Sequence, residues 1–153
     1  MSVEEVLKKI EEFCYDNNTN NKYSHDSFLS NLSNSLQKFG CHVIEEYEVI
    51  FDCVKATGEI VERRGFIDFF VFFKQKKIAI EFDHGNRLKL KSISKLLQSK
   101  ADVRIGIVRG NKRYNVWWSN KRRIAQVMRR LQIIKKPILL IIIFQKSSSW
   151  IYS

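Results

Sequence analysis

From Phe66 to Phe73 the chain reads Phe-Ile-Asp-Phe-Phe-Val-Phe-Phe, apolar at every position but one. A strand with one solvated face alternates apolar and polar residues, whereas a run that is apolar on both faces fits a strand covered on both sides. The segment therefore predicts a central strand in a sheet sandwiched between helices. It also sets one carboxylate, Asp68, into that interior. A buried carboxylate is costly unless it is paired or holds a metal, so Asp68 needs either a partner such as Arg63 or Arg64 or a cation.

The flanking sequence supplies the rest of such a sandwich. Ser2 and Glu5 have the form of a capping box, and Val6, Ile10, Phe13 and Cys14 then recur at helical spacing to about Tyr15. After a polar stretch over residues 16–22, Phe28, Leu29, Leu32, Leu36 and Phe39 predict a second amphipathic helix, stopped by Gly40. Val43, Tyr47, Val49, Phe51 and Cys53 alternate with Glu46, Glu48 and Asp52 as a half-buried strand. The central strand follows, then a turn at Lys74–Lys77 and a strand Ile78–Asp83, broken by His84-Gly-Asn86. Beyond it come a helix marked by Leu90, Ile93, Leu96 and Leu97, a strand Val103–Val108, a helix over Ile124–Leu131 capped by Ser119 or Asn120, and a final strand Ile138–Phe144. The predicted order is ααβββαβαβ, an α/β domain with a mixed sheet flanked by helices.

At 153 residues, with 6 Gly and 1 Pro, the chain is sized and composed for one such domain. Cys14, Cys41 and Cys53 are odd in number and lack CxxC spacing, which speaks against a disulfide framework or zinc site. The longest apolar run, residues 138–144, falls far short of a bilayer span, and the acidic N-terminus lacks an apolar leader, so a cytoplasmic protein without a membrane partner is expected.

Charge is sharply divided. Through Asp83 there are 10 Lys+Arg against 15 Asp+Glu, net −5; from His84 onward there are 17 against Asp102 alone, net +16. The acidic part ends in a pattern that can carry chemistry. Glu81 and Asp83, two apart on a short strand, leave the same face, and pairing through the 74–77 turn brings Asp68 beside one of them. Three such carboxylates repel one another unless a cation neutralises them, and Mg²⁺ takes hard oxygen ligands of this kind. The plainer alternative is a paired Asp68 and a solvated strand face.

Ile67-Asp68, eleven further residues, then Ile80-Glu81-Phe82-Asp83 resembles the core motif of the PD-(D/E)xK nuclease superfamily, which includes restriction endonucleases and archaeal Holliday-junction resolvases. The resemblance covers about residues 26–108. It implies a restriction-endonuclease-like αβββαβ core, here preceded by an extra helix and followed by a basic extension, residues 109–153, with a further helix and strand. It further implies that Asp68 and Glu81 ligate Mg²⁺, with Mn²⁺ as a substitute, and that the Phe82 carbonyl adds a third oxygen. The motif lysine is replaced by Asp83. Either Asp83 itself takes the water's proton or helps to hold metal, or a lysine from the next helix reaches in. Lys91, Lys95 and Gln98 share one side of that helix, and Lys91 is the expected donor because it lies nearer the helix start. Asp26 and His84 are further candidates, with helix capping and a plain turn as their alternatives.

The basic part supplies a surface for phosphates: Arg87, Lys89, Lys95, Arg109, Lys112, Arg113, Arg122, Arg123, Arg129 and Arg130, interleaved with Tyr114, Trp117 and Trp118. The expected function is a metal-dependent endodeoxyribonuclease with DNA as partner, with Asp68, Glu81, Asp83 and Lys91 catalytic, the three acids binding metal, and a homodimer suited to cutting both strands. The alternative is a nuclease-like fold that binds DNA and has lost its chemistry with the lysine.

Overall fold

The computed structural model describes residues 2–16, 25–110, 115–133 and 136–152. Its elements are α1 (Val3–Asp16), α2 (His25–Lys38), β1 (His42–Val54), β2 (Ile60–Phe73), β3 (Lys76–Asp83), α3 (Leu90–Gln98), β4 (Val103–Val108), α4 (Val116–Leu131), β5 (Ile138–Ile142) and β6 (Ser147–Ile151). The first nine follow the predicted order. The tenth, β6, was not expected, because its Ser147-Ser-Ser start carries no apolar alternation.

All six strands form one mixed sheet in chain order. β1, β2 and β3 are an antiparallel meander, β3, β4 and β5 run parallel, and β6 turns back on β5. The tight turn into β3 places Lys74 and Gln75 at φ of 46° and 66°, the left-handed pair that a two-residue hairpin uses. Two successive crossovers, through α3 and α4, step the same way across the sheet, so right-handedness puts both helices on one face. The other face is left for α1 and α2.

Burial follows that division. Val6, Ile10, Leu32 and Leu36 of α1 and α2 pack on Phe69, Val71, Ile80, Phe82, Ile105 and Ile107. Ile93, Leu97, Ile124 and Val127 of α3 and α4 pack on Ile67, Phe70, Ala79 and Leu140. β2 contributes to both cores, as its two apolar faces require. At the N-terminus Ser2 Oγ accepts from the Glu5 N–H at 3.2 Å, as the capping box predicts. The cap of α4 is a correction: Asn115 fills it, accepting from Trp118 N at 3.2 Å, while Asn120 lies fully buried within the helix. No helix among the described residues is long and apolar enough to cross a membrane. The three cysteines are buried and free of disulfides.

Candidate functional site

The ladder between β2 and β3 runs from Phe73↔Lys76 to Phe69↔Ile80, and the next rung sets Asp68 opposite Glu81. There side chains take over from backbone. The Asp68 N–H donates to Glu81 Oε2 at 3.1 Å, and the Phe82 N–H donates to Asp68 Oδ2 at 2.8 Å. On its other edge β2 also loses a rung, since the pairing with β1 passes from Glu45↔Phe69 to Tyr47↔Ile67 and Glu46 between them has φ 53°. Strand faces reverse across this point. Ile67 and Phe70, three residues apart, belong to the α3/α4 core, whereas Phe69 and Val71 face α1 and α2. A regular strand with a period of two cannot do this, so Asp68 occupies a local bend, half-buried.

Glu81 is 2 % exposed. Its side chain shares the face of Ala79, under α3, and there meets Lys95. The Lys95 ammonium forms an ion pair with Glu81 Oε1 and donates to the Phe66 carbonyl at 2.6 Å. Lys95 is itself 7 % exposed. Its stem passes Gly65, where a Cβ would make ordinary contact with Lys95 Cδ at 3.7 Å but crowd the Phe51 ring at 3.1 Å. Burial, and next the Asp68 carboxylate, raise Glu81 well above the ordinary carboxylate range, while Lys95 pulls the other way.

The lysine of α3 that meets Glu81 in this structure is Lys95, whereas Lys91, the expected donor, stands exposed. Both occupy the same helix side in sequence, but every residue from Ser92 to Leu97 is buried, so α3 presses that side onto the sheet one turn later than expected. Asp83 also departs from expectation. Though buried on the same strand face as Glu81, it accepts from Lys89 N at 2.9 Å and so caps the entry to α3. Among the described residues no group of three His, Cys, Asp or Glu side chains converges to hold a metal. Two carboxylates and a lysine are what the fold brings together. Asp26 sits in the first turn of α2, and His84 accepts from Arg109 Nε at 3.0 Å.

The expected phosphate surface divides as well. Arg87, Lys89, Arg122, Arg129 and Arg130 are exposed. Arg130 is engaged with the β1–β2 turn, its Nε donating to Gly58 O at 2.9 Å. Arg123 is partly buried and donates to Leu88 O at 3.0 Å; burial lowers its pKa, and so does nearby Arg87, while Asp83 opposes them. Lys95 and Arg109 are buried, Arg109 lying over the Phe82 ring. Lys112, Arg113 and Tyr114 lie outside the described residues. Of the two tryptophans, Trp117 packs against the core and Trp118 is exposed.

One residue that organises the site was missed. Asn120 Oδ1 accepts from Leu88 N, and its amide donates to Asn86 O and Val116 O, each at 2.8 Å. It holds the segment between Asp83 and α3 in place. The available signal was an amide at a position between apolar Val116 and Ile124 at helical spacing. Opposite Glu81 on β4, Gly106 serves the same segment, because a Cβ there would fall 2.5 Å from buried Leu88.

Comparisons of the chain with protein-family models, curated proteins and solved structures find no match.

Proposed function

We propose that this protein is a metal-dependent nuclease that hydrolyses DNA phosphodiester bonds, built on a restriction-endonuclease-like core. The observation that carries the reading is the Asp68–Glu81–Lys95 cluster at an interrupted rung. The stretch from α2 to β4 has the αβββαβ order that the PD-(D/E)xK resemblance implies, with the aspartate on the second strand and the glutamate on the third. Lys95 then replaces the lysine missing at position 83.

The residues suit Mg²⁺, which is commonly held by one or two carboxylates together with waters and substrate phosphates. Two buried or half-buried carboxylates share one rung, and Glu81 bears the cost as a raised affinity for protons, which a cation would relieve. When bound, Mg²⁺ supplies Lewis-acid polarisation of a phosphoryl oxygen and a lower pKa for a water ligand. Within the chain, Lys95 holds Glu81 by its ion pair and carries a positive charge beside the carboxylates, suited to an attacking water or a developing phosphorane charge. The Phe82 N–H and the Asp68 N–H fix the two carboxylates.

Incubating the protein with plasmid, branched and single-stranded DNA in Mg²⁺ or Mn²⁺ tests this reading. Cleavage that disappears with chelator and in Asp68→Ala is expected; no cleavage of any substrate overturns it. One observation favours the non-catalytic alternative, namely that Asp83 is turned to Lys89 N and leaves two acids rather than three. That alternative predicts DNA binding that depends on salt but not on Mg²⁺.

A further inference from the structure

The exposed side of α4 carries a groove of about 860 Å³, lined by Trp118, Lys121, Arg122, Arg123 and Arg129 and closed by Arg87 from the segment before α3. No carboxylate is among the described residues that line it. Trp118, Arg122 and Arg129 fall at helical spacing, so they form one stripe about 16 Å long at 1.5 Å per residue. At one end of this stripe Trp118 is 52 % exposed, with Lys121 Nζ 5.8 Å from the ring centre. Along the groove Arg123 donates to Leu88 O at 3.0 Å and feels the charges of Arg87 and of Asp83, which lies two residues along β3 from Glu81.

We propose that this groove is the track of an unpaired DNA strand, with Trp118 stacking on a base and Arg122 and Arg129 holding successive phosphates. The inference rests on the nuclease reading for what the strand is delivered to. Charge complementarity selects a polyanion, and the exposed indole selects its form. In a duplex each base face is covered by its neighbours, whereas an unpaired base has a free face for an aromatic ring, and such stacking tolerates any sequence. A membrane surface would attract the same cations and take an indole at its headgroup level, so anionic vesicles enter the test as the rival partner.

The test measures binding of a labelled oligothymidylate and of a blunt duplex of equal length, in chelator, so that cleavage does not intervene. The oligothymidylate should bind more tightly than the duplex. Trp118→Ala should weaken its binding roughly 5- to 150-fold, the range of one stacked base, while Trp118→Phe retains most of it. Arg122→Ala and Arg129→Ala should each lower the slope of log K against log salt by about 0.7. Tighter duplex binding, indifference to Trp118→Ala, or equal competition by phosphatidylserine vesicles would overturn the proposal. A Mg²⁺ cleavage assay on the wild type and Trp118→Ala beside this titration keeps the two readings apart. Binding that depends on Trp118 without cleavage by the wild type removes the nuclease and leaves the strand track, whereas cleavage indifferent to Trp118 removes the track and leaves the nuclease.

Discussion

The two faces of the sheet are built from different materials. The face under α1 and α2 is closed with Val, Ile, Leu and Phe, and the buried polar or charged residues on that side are Ser33, on α2, and Arg109, against Phe82. The face under α3 and α4 buries Glu81, Asp83, Ser92, Ser94, Lys95, Ser99, Arg104 and Asn120. Several of these brace helix and strand to one another. Ser94 Oγ accepts from Val54 N and donates to Leu90 O, and Arg104 donates to Ala101 O at 2.7 Å. An apolar face can tolerate repacking, but a polar network fixes one arrangement and is costly when incomplete. The first face is thus suited to stability and the second to positioning, and the difference can be broken experimentally from either side.

The largest effect is expected on the polar face. Glu81→Gln or Lys95→Ala should reduce DNA cleavage on the order of 10³-fold, as loss of several kcal/mol of transition-state stabilisation implies, whereas Lys91→Ala should leave it within about threefold. Initial rates of plasmid nicking check this, and equal losses for the two lysine variants would remove Lys95 from the centre. On the apolar face, Leu32→Ala should cost about 2–5 kcal/mol in urea unfolding, as for other fully buried leucines, with cleavage per folded molecule unchanged. An effect of comparable size that crosses between the two classes belongs to Asn120→Leu. It keeps the volume but strands Leu88 N and Asn86 O, at about 1–3 kcal/mol for each group left unsatisfied. Because it loosens the segment that leads from Asp83 into α3, it should also lower cleavage, which Leu32→Ala should not.

The apolar face was the more legible in the sequence, because burial there is written as periodicity. The heptad-like repeats of α1 and α2 and the two-faced run of β2 announce which residues are covered. Asp68 was legible for the same reason, as the exception inside such a run. Lys95 was not, because Lys91, Lys95 and Gln98 share a helix side and only the distance between α3 and the sheet decides which of them touches a strand. Asp83 misled for a related reason: alternation correctly sets its face, but the Lys89 N–H that claims its carboxylate comes from a loop whose path has no period. β6 stayed hidden because an edge strand of serines buries little apolar surface. The reversal of strand faces at Asp68 likewise coincides with a left-handed Glu46 across the interrupted rung, which nothing in its neighbours demands.

The smallest expected effect separates the faces by pH. Glu81 is raised above its value in an unfolded chain, so below about pH 4.5, where an unperturbed glutamate carboxyl titrates, both folded and unfolded states hold the proton. As pH climbs from there toward the raised folded value, the unfolded chain releases that proton while the folded one keeps it. Folding stability therefore falls, by at most about 1.4 kcal/mol per pH unit traversed, and levels off above the folded pKa. Glu81→Gln has no proton to release. Its stability relative to wild type should rise through that window, as read by urea unfolding at a series of pH values, whereas Leu32→Ala should run parallel to wild type. Asp68 and Lys95 act on Glu81 from either side, so Lys95→Met, which removes the opposing charge, should widen the window upward in pH. A wild-type profile parallel to Glu81→Gln would mean that Glu81 is ionised throughout, and that the polar face holds a settled ion pair rather than a carboxyl still in need of a cation.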